Sequence, residues 1–356
     1  MDRPIKHKVY VTRKIPEPGP SILKNRFQLK MNPRADVLRR ENLIQNVRGV
    51  YALMCMPEEG IDWLSRSELM TYEEMLRICS LLVKMGVEKI RITGGEPFVR
   101  KDIMKFLTTL SKIQGLQQIT ITTNGVLTAP IVPELKKLGI KSVNLSLDTL
   151  DRNRFFSIAK RDELPKVLET LEQLLLHDID VKINAVVMDG KNTQDILPLV
   201  ELTKELPVSV RFIEEMPFNG GDSHYAKLQW NYIRILETIK EKYPDIQKIP
   251  DSLYSTSYNY HIPNHKGNVG IIAAYTRTFC GTCNRIRITP LGMLKTCLYD
   301  DGVLNIKELV RNNFNDEAIA SHLINAIQHR AKTGWEAEKL RKEKAPVHES
   351  MATIGG

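Results

Sequence analysis

Apolar residues recur at helical spacing from residue 75, where Met75, Leu76, Cys79, Leu82 and Val83 share one face, and Thr71 with Glu74 three residues on forms a capping box that would start the helix. Cys79 falls on that apolar face, which makes it a small packed hydrophobe rather than a reactive thiol. Short β-like runs then alternate with helical stretches: strands are expected at 89–93, 118–122, 142–147, 180–187 and 208–213, and helices near 102–113, 130–138, 163–176 and 193–205. A further strand is expected near 43–51. Such alternation requires parallel strands joined by right-handed crossovers, so the expected fold class is α/β, either an open doubly wound sheet or a full or partial barrel. In both, ligands meet the carboxyl ends of the strands. Up to residue 42 no periodicity holds, and Pro16-Glu17-Pro18-Gly19-Pro20 is a stiff breaker. After residue 220 the alternation is expected to stop. The domain reading is therefore a mostly irregular leader at 1–42, a β/α body at 43–220, and a helical and hairpin region at 221–356.

Hydrophobic residues at 42% and charged residues at 26% of 356 exclude a fibrous or wholly disordered chain, and no apolar run is long enough to span a bilayer. The net charge of +9 points at first to nucleic acid, until it is located. Residues 1–40 hold eleven Lys or Arg against three acids, and the remainder carries 40 bases against 39 acids. The charge thus belongs to the leader, and the body offers no basic stripe for nucleic acid. An Arg/Lys-rich, acid-poor leader is compatible with a mitochondrial transit segment, although it holds five prolines and little Ser. The expected compartment is the mitochondrial matrix or the cytosol. Five cysteines without a secretory signal argue against a disulfide framework, so their spacing becomes the informative quantity.

Site residues are expected just after each strand. Gly94-Gly95-Glu96-Pro97 follows the first clear strand, where glycines let a ligand approach the backbone and Glu96 offers an acceptor for an amino group. Later strand ends bring Thr122-Thr123-Asn124-Gly125, Ser146-Leu147-Asp148, Lys182 with Asn184, and Arg211, Glu214 and Met216. A lysine alternating with apolar residues in a buried strand is costly unless it meets an anion. The strongest local signal is Cys280-Gly281-Thr282-Cys283 followed by Cys297. The CxxC puts two thiolates on one tight turn, and a strand pair around Pro290-Leu291-Gly292 can fold the third back. Three thiolates suit an iron–sulfur cluster with one open iron, or zinc with an outside fourth ligand. Arg285 and Arg287 alternate on the strand leaving the bracket, where a triphosphate could be held bidentately; a solvated strand face is the competing reading.

Together these residues resemble one family, the radical S-adenosylmethionine GTP 3′,8-cyclases of the first step of molybdenum-cofactor biosynthesis, in a eukaryotic-looking form. The resemblance runs from about Cys55 to Gly356 on Cys55-Met56-Pro57-Glu58-Glu59-Gly60, the segment from Arg91 to Pro97, Ser146-Leu147-Asp148, the segment from Arg211 to Pro217, the three-cysteine bracket and the terminal Gly355-Gly356. It implies an incomplete (β/α) barrel of the radical-SAM type, with a C-terminal cluster-binding region closing the mouth. It also implies a lyase in which a [4Fe–4S] cluster cleaves S-adenosylmethionine to a radical that takes the 3′ hydrogen of GTP, so that C3′ bonds to C8. By position, Gly95, Glu96, Ser146 and Met216 would meet S-adenosylmethionine. Arg91, Thr122, Lys182, Arg285 and Arg287 would meet GTP. Cys280, Cys283 and Cys297 would hold a second [4Fe–4S] cluster, and Gly355 and Gly356 would end a tail that enters the site. The implied pathway partner is cyclic pyranopterin monophosphate synthase. A homodimer is left open, and neither nucleic acid nor membrane is expected.

The chain departs from the family at the radical-generating cluster. Of its CxxxCxxC loop only the last cysteine stands, as Cys55; the other two positions fall on Arg48 and Ala52, with Met54 in place of an aromatic. Two readings follow: residues 1–54 are an alternative or wrongly joined segment on a cyclase, or the chain is a one-cluster GTP-binding relative. The abrupt resumption of the pattern at Cys55 favours the first.

Overall fold

The computed structural model describes residues 8–11, 28–31 and 52–54 as backbone, then 69–216, 228–251 and 255–340, with the backbone of 341 and 342. The chain divides into two compact units, Met1–Leu69 and Met70–Gly356. In the first, β1 (Lys8–Val11) pairs in parallel with both β2 (Gln28–Met31) and β3 (Ala52–Met54). Two of these strands fall within the stretch expected to be mostly irregular, while the strand expected near 43–51 lies outside the described residues.

The second unit begins with helix α1 (Tyr72–Lys84), started by the capping box foreseen in the sequence: the Glu74 amide donates to Thr71 Oγ1 at 3.2 Å, and the Thr71 amide donates to Glu74 Oε2 at 2.8 Å. Cys79 is half-buried against the core, and burial pushes its thiol up to about 11, which leaves it inert. Five strands then follow in sequence and in space: β4 (Lys89–Ile92), β5 (Gln118–Thr123), β6 (Ser142–Ser146), β7 (Asp180–Val187) and β8 (Ser209–Glu214), each parallel to the last. Their helices pack on one side and supply Leu107, Leu110, Val132, Leu135, Val167, Leu174, Leu199 and Val200 to the core.

The alternation does not stop at residue 220. Helix Tyr232–Lys242, with Ile235 and Ile239 buried, leads on to β11 (Asn268–Ile272), which pairs in parallel with β8. An antiparallel margin, β10 (Tyr258–His261) and β9 (Gln247–Lys248), completes an eight-stranded sheet in the order β4-β5-β6-β7-β8-β11-β10-β9. The extra step escaped the sequence reading because its crossover carries β9 and β10, which break the strand–helix spacing. Among the described residues β4 and β9 stay at opposite edges, so the fold is an incomplete α/β barrel. No helix among the described residues is long and apolar enough to cross a membrane.

A second apolar cluster fixes the C-terminal part. Ile78, Leu81 and Leu82 of α1 pack with Leu294, Ile306, Ile319 and Leu323, which belong to β13 (Met293–Lys295) and two C-terminal helices. At its rim Arg77 Nε donates to Asp316 Oδ1 at 3.0 Å and Arg311 Nε to Glu74 Oε1 at 2.6 Å. Replacing Ile78 by Ala, which leaves a cavity between the two parts, is expected to lower stability by about 2–5 kcal/mol in a denaturant titration.

Candidate active site

Strand parity decides what the concave side of the sheet offers. In β4, Lys89 and Arg91 share one face and Ile90 and Ile92 the other. The register carries this division across the sheet: Arg91 lies beside Thr120, Thr122 beside Asn144, Asn144 beside Lys182, and Asn184 beside Arg211. The intervening Ile121, Val143, Leu145, Ile183, Val210 and Phe212 are wholly buried against the helices. Next to Arg211 in register stands Gly270, where an added Cβ would come within 3.1 Å of Arg211 Cγ; a larger residue would crowd the arginine stem.

Six cations gather on this face: Lys89, Arg91, Lys182 and Arg211 from the sheet, with Arg285 and Arg287 from the C-terminal part. Burial, then repulsion from Arg211, Lys89 and Arg91, brings Lys182 down to about 8. Arg91 and Arg211 are brought to about 10, by burial first and then by Arg285. Lys89, Arg285 and Arg287 are lowered too, again by burial first. Arg91 is nonetheless exposed at the rim, as a side chain lining an open concavity is, and water there moderates its depression. Among the described residues none of the six is in an ion pair. Arg285 donates to Thr256 Oγ1 at 2.8 Å, and Asn144 Nδ2 to Thr122 Oγ1 at 3.1 Å. Thr120 Oγ1, Asn184 Oδ1 and Arg211 Nε are buried without a hydrogen-bond partner. Like charges and orphaned polar atoms held together in this way call for a polyanionic guest.

At the strand ends, Glu96 accepts from the Asn124 amide at 2.7 Å, from Thr123 Oγ1 at 2.9 Å and from the Phe98 amide at 3.2 Å. Its carboxylate thus ties the Gly94-Gly95 turn to the end of β5, a positioning role the sequence did not disclose. Gly94 takes φ +148°, which favours glycine. Ser146 is exposed at the end of β6, and two residues on Asp148 accepts from the Val186 amide at 2.8 Å, with burial bringing its carboxyl up to about 6. Met216 packs against the cluster of Tyr299 and Ala337, as Cys297 of the bracket also does.

The bracket folds as its spacing suggested. Cys280–Thr282 is a single 3₁₀ turn closed by the Cys283 amide donating to the Cys280 carbonyl at 3.3 Å. The strand β12 (Arg287–Ile288) pairs antiparallel with β13 through a turn at Gly292, φ +81°, where a Cβ would strike Lys307 at 2.3 Å. Cys297 is thereby returned to the bracket, and its loop is fastened by Asp300, which accepts from the Thr296 and Cys297 amides at 2.8 and 2.7 Å. Burial first, then Asp300 and Cys280, raises the Cys297 thiol, while Arg287 lowers it. Among the described residues no three His, Cys, Asp or Glu side chains converge on a single metal ion. An iron–sulfur cluster gives each thiolate its own iron and so does not need them to meet on one ion. The donor set fits such a cluster: three cysteines on one hairpin and one turn, with two arginines alongside.

One residue left unassigned by the sequence joins the two halves. Glu214, at the end of β8 and with no exposure, accepts from the Tyr232, Tyr275 and Thr276 amides at 2.7, 2.9 and 2.8 Å. It clamps the sheet to the segment that runs into the bracket. Lys89 was likewise unassigned, and Arg211 was noted only for its place at a strand end. Arg48, the Ala52 side chain, Cys55, Gly355 and Gly356 lie outside the described residues.

Residues 53–203 match the Radical SAM superfamily and residues 208–335 match Molybdenum Cofactor Synthesis C. The chain is 40% identical to Molybdenum cofactor biosynthesis protein 1 of Bos taurus, covering 74% of this chain and 42% of that protein. It is 35% identical to the mitochondrial GTP 3′,8-cyclase of Arabidopsis thaliana, covering 85% and 80%. It is 38% identical to the GTP 3′,8-cyclase of Clostridium botulinum, covering 87% and 94%. The chain thus spans less than half the length of the bovine relative and most of the other two.

Inorganic tripolyphosphate tests the basic face directly. An anion raises the Lys182 pKa from about 8, so binding takes up a proton whenever the free lysine is neutral. Affinity measured by calorimetry is expected to fall as pH rises past about 8, and Lys182→Met is expected to flatten that dependence.

Proposed function

The chain belongs to the GTP 3′,8-cyclase family of molybdenum-cofactor biosynthesis, and from that membership we propose that it converts GTP to (8S)-3′,8-cyclo-7,8-dihydroguanosine 5′-triphosphate. The observation that carries the reading is the gathering of Lys89, Arg91, Lys182, Arg211, Arg285 and Arg287 on one concave face without an ion pair among the described residues. A triphosphate bears several negative charges, accepts bidentate hydrogen bonds from guanidinium, and would relieve the repulsion among the six. Thr122 adds a hydroxyl on the same face.

In this reading the cations bind and orient the triphosphate, and Arg285 and Arg287 link that end of the substrate to the cysteine bracket. A [4Fe–4S] cluster on Cys280, Cys283 and Cys297 would supply one open iron as a Lewis acid for the guanine. Gly95, Glu96, Ser146 and Met216 are the proposed S-adenosylmethionine contacts, with Glu96 also holding the turn in place. The residues for a radical-generating cluster do not fit: Arg48 and Ala52 carry no thiol, and Cys55 alone cannot hold it. No step is therefore assigned to that cluster. Gly355 and Gly356 are the proposed end of a tail reaching the substrate. The product would pass to cyclic pyranopterin monophosphate synthase, and the proposed compartment is the mitochondrial matrix or the cytosol.

The test is anaerobic incubation of the full chain with a reductant, S-adenosylmethionine and GTP. Cyclised nucleotide together with 5′-deoxyadenosine would establish the cyclisation in spite of Arg48 and Ala52; GTP binding without 5′-deoxyadenosine would select a one-cluster GTP-binding relative instead. Arg285→Ala and Arg287→Ala are each expected to weaken GTP binding by about 1–3 kcal/mol, roughly 5- to 150-fold, as read by calorimetry. Unchanged affinity would return both to a solvated strand face.

A further inference from the structure

Arg277, in the C-terminal part, lies outside the basic face. Arg277 precedes Cys280 by three residues, takes φ +58°, and its carbonyl accepts from the Cys280 amide at 3.2 Å. Its side chain is only 1% exposed. The guanidinium carbon lies 3.6 Å from the ring centroid of Tyr299 and 3.9 Å from that of Trp335, and Nη2 donates to Glu338 Oε2 at 2.7 Å. The plane of the group is therefore held from both sides. Nε and Nη1, however, are buried with no hydrogen-bond partner.

Unmatched donors in so enclosed a place call for an acceptor, and the stem of the arginine lies close to the bracket. A Cβ added at Gly334 would come within 2.9 Å of Arg277 Cδ, 3.1 Å of Cys280 Sγ and 3.3 Å of Tyr299 Cδ2. The arginine stem, the thiol and the ring thus close on one point that only glycine can occupy. Tyr299 also touches the third cysteine, because its amide donates to Cys297 Sγ at 3.5 Å.

We propose that Arg277 is a positioning residue for the bracket, its free N–H groups donating to the Cys280 thiolate or to a sulfide of the iron–sulfur group held there. The inference rests on the reading of the bracket as a cluster site. A cation donating hydrogen bonds to sulfur stabilises the more negative, reduced form of such a group, so Arg277 raises its reduction potential. Glu338, bound to the far edge of the guanidinium, fixes the arginine and acts electrostatically in the opposite sense.

The test uses the full chain, reconstituted anaerobically with ferrous iron and sulfide and titrated potentiometrically with detection by electron paramagnetic resonance. Arg277→Gln is expected to shift the midpoint to lower potential and to weaken iron retention against a chelator by about 10–100-fold. Arg277→Lys, which keeps the charge and guards against a folding failure, is expected to fall between. Glu338→Gln is expected to leave the potential unchanged or higher. An unchanged midpoint in a loaded Arg277→Gln protein overturns the inference alone, as does an equal drop in Glu338→Gln, which would make Arg277 merely an anchor for the helix Gly334–Lys342. A wild-type chain that takes up no iron overturns the cluster reading and this inference with it.

Discussion

Repulsion among like charges on one face of a single sheet is the constraint to which the rest of the structure answers. Two unit charges about 4 Å apart repel by roughly 4 kcal/mol at an effective dielectric constant near 20, and six cations share the concave face. A sheet that folds with such a face needs a compensating term of comparable size. It has one on the other side, where each strand contributes residues such as Leu145, Ile183 and Phe212 to an enclosed core. Each fully buried side chain of that kind contributes about 1.5–3 kcal/mol. The strict alternation in β7, exposed or half-buried at one position and buried at the next, lets both faces exist on one strand. The cost is therefore set locally in the fold, and among the described residues no carboxylate pairs with the six cations.

The second requirement is that the cysteine bracket stand in a fixed relation to that face. Its own elements are short: a 3₁₀ turn, a two-residue strand and a three-residue strand. Elements of that length cannot hold a position unaided, so neighbouring packing has to do it. Helix α1 supplies an apolar bed through Ile78, Leu81 and Leu82, and the buried carboxylate of Glu214 gathers three amides from two segments. A carboxylate taking three backbone donors is satisfied without a cation, so Glu214 draws none away from the basic face beside it.

Periodicity made the five central strands and their helices legible, because a half-buried strand and an amphipathic helix each impose a repeat on local sequence. Lys182 was legible for the same reason, as a charge where the repeat called for an apolar or partnered residue. What local sequence could not carry was convergence. Lys89 opens a short strand and reads as an ordinary solvated lysine until Arg91, Arg211 and Arg285 are seen around it. Glu214 was noted, but its partners are main-chain amides that leave no mark on sequence. Glu96 invited a ligand reading, and only the structure reveals its three neighbours at the end of β5. The step from β8 to β11 was hidden because β9 and β10 occupy the crossover and imitate a separate hairpin region.

Under the proposed function these features divide the reaction into two parts of unequal dependence. Substrate binding draws on Arg91, Lys182, Arg211, Arg285 and Arg287, and orientation of the guanine draws on the bracket beside them. Both lie within the unit Met70–Gly356. Radical generation draws on the segment around Arg48, Ala52 and Cys55, where the required thiols are missing. Binding can therefore persist in a chain that cannot generate a radical. A radical formed without a seated triphosphate would have no oriented C3′ hydrogen to take. The charge cluster thus comes first in the order of dependence, and the bracket gains its meaning from lying at the other end of whatever the cluster holds.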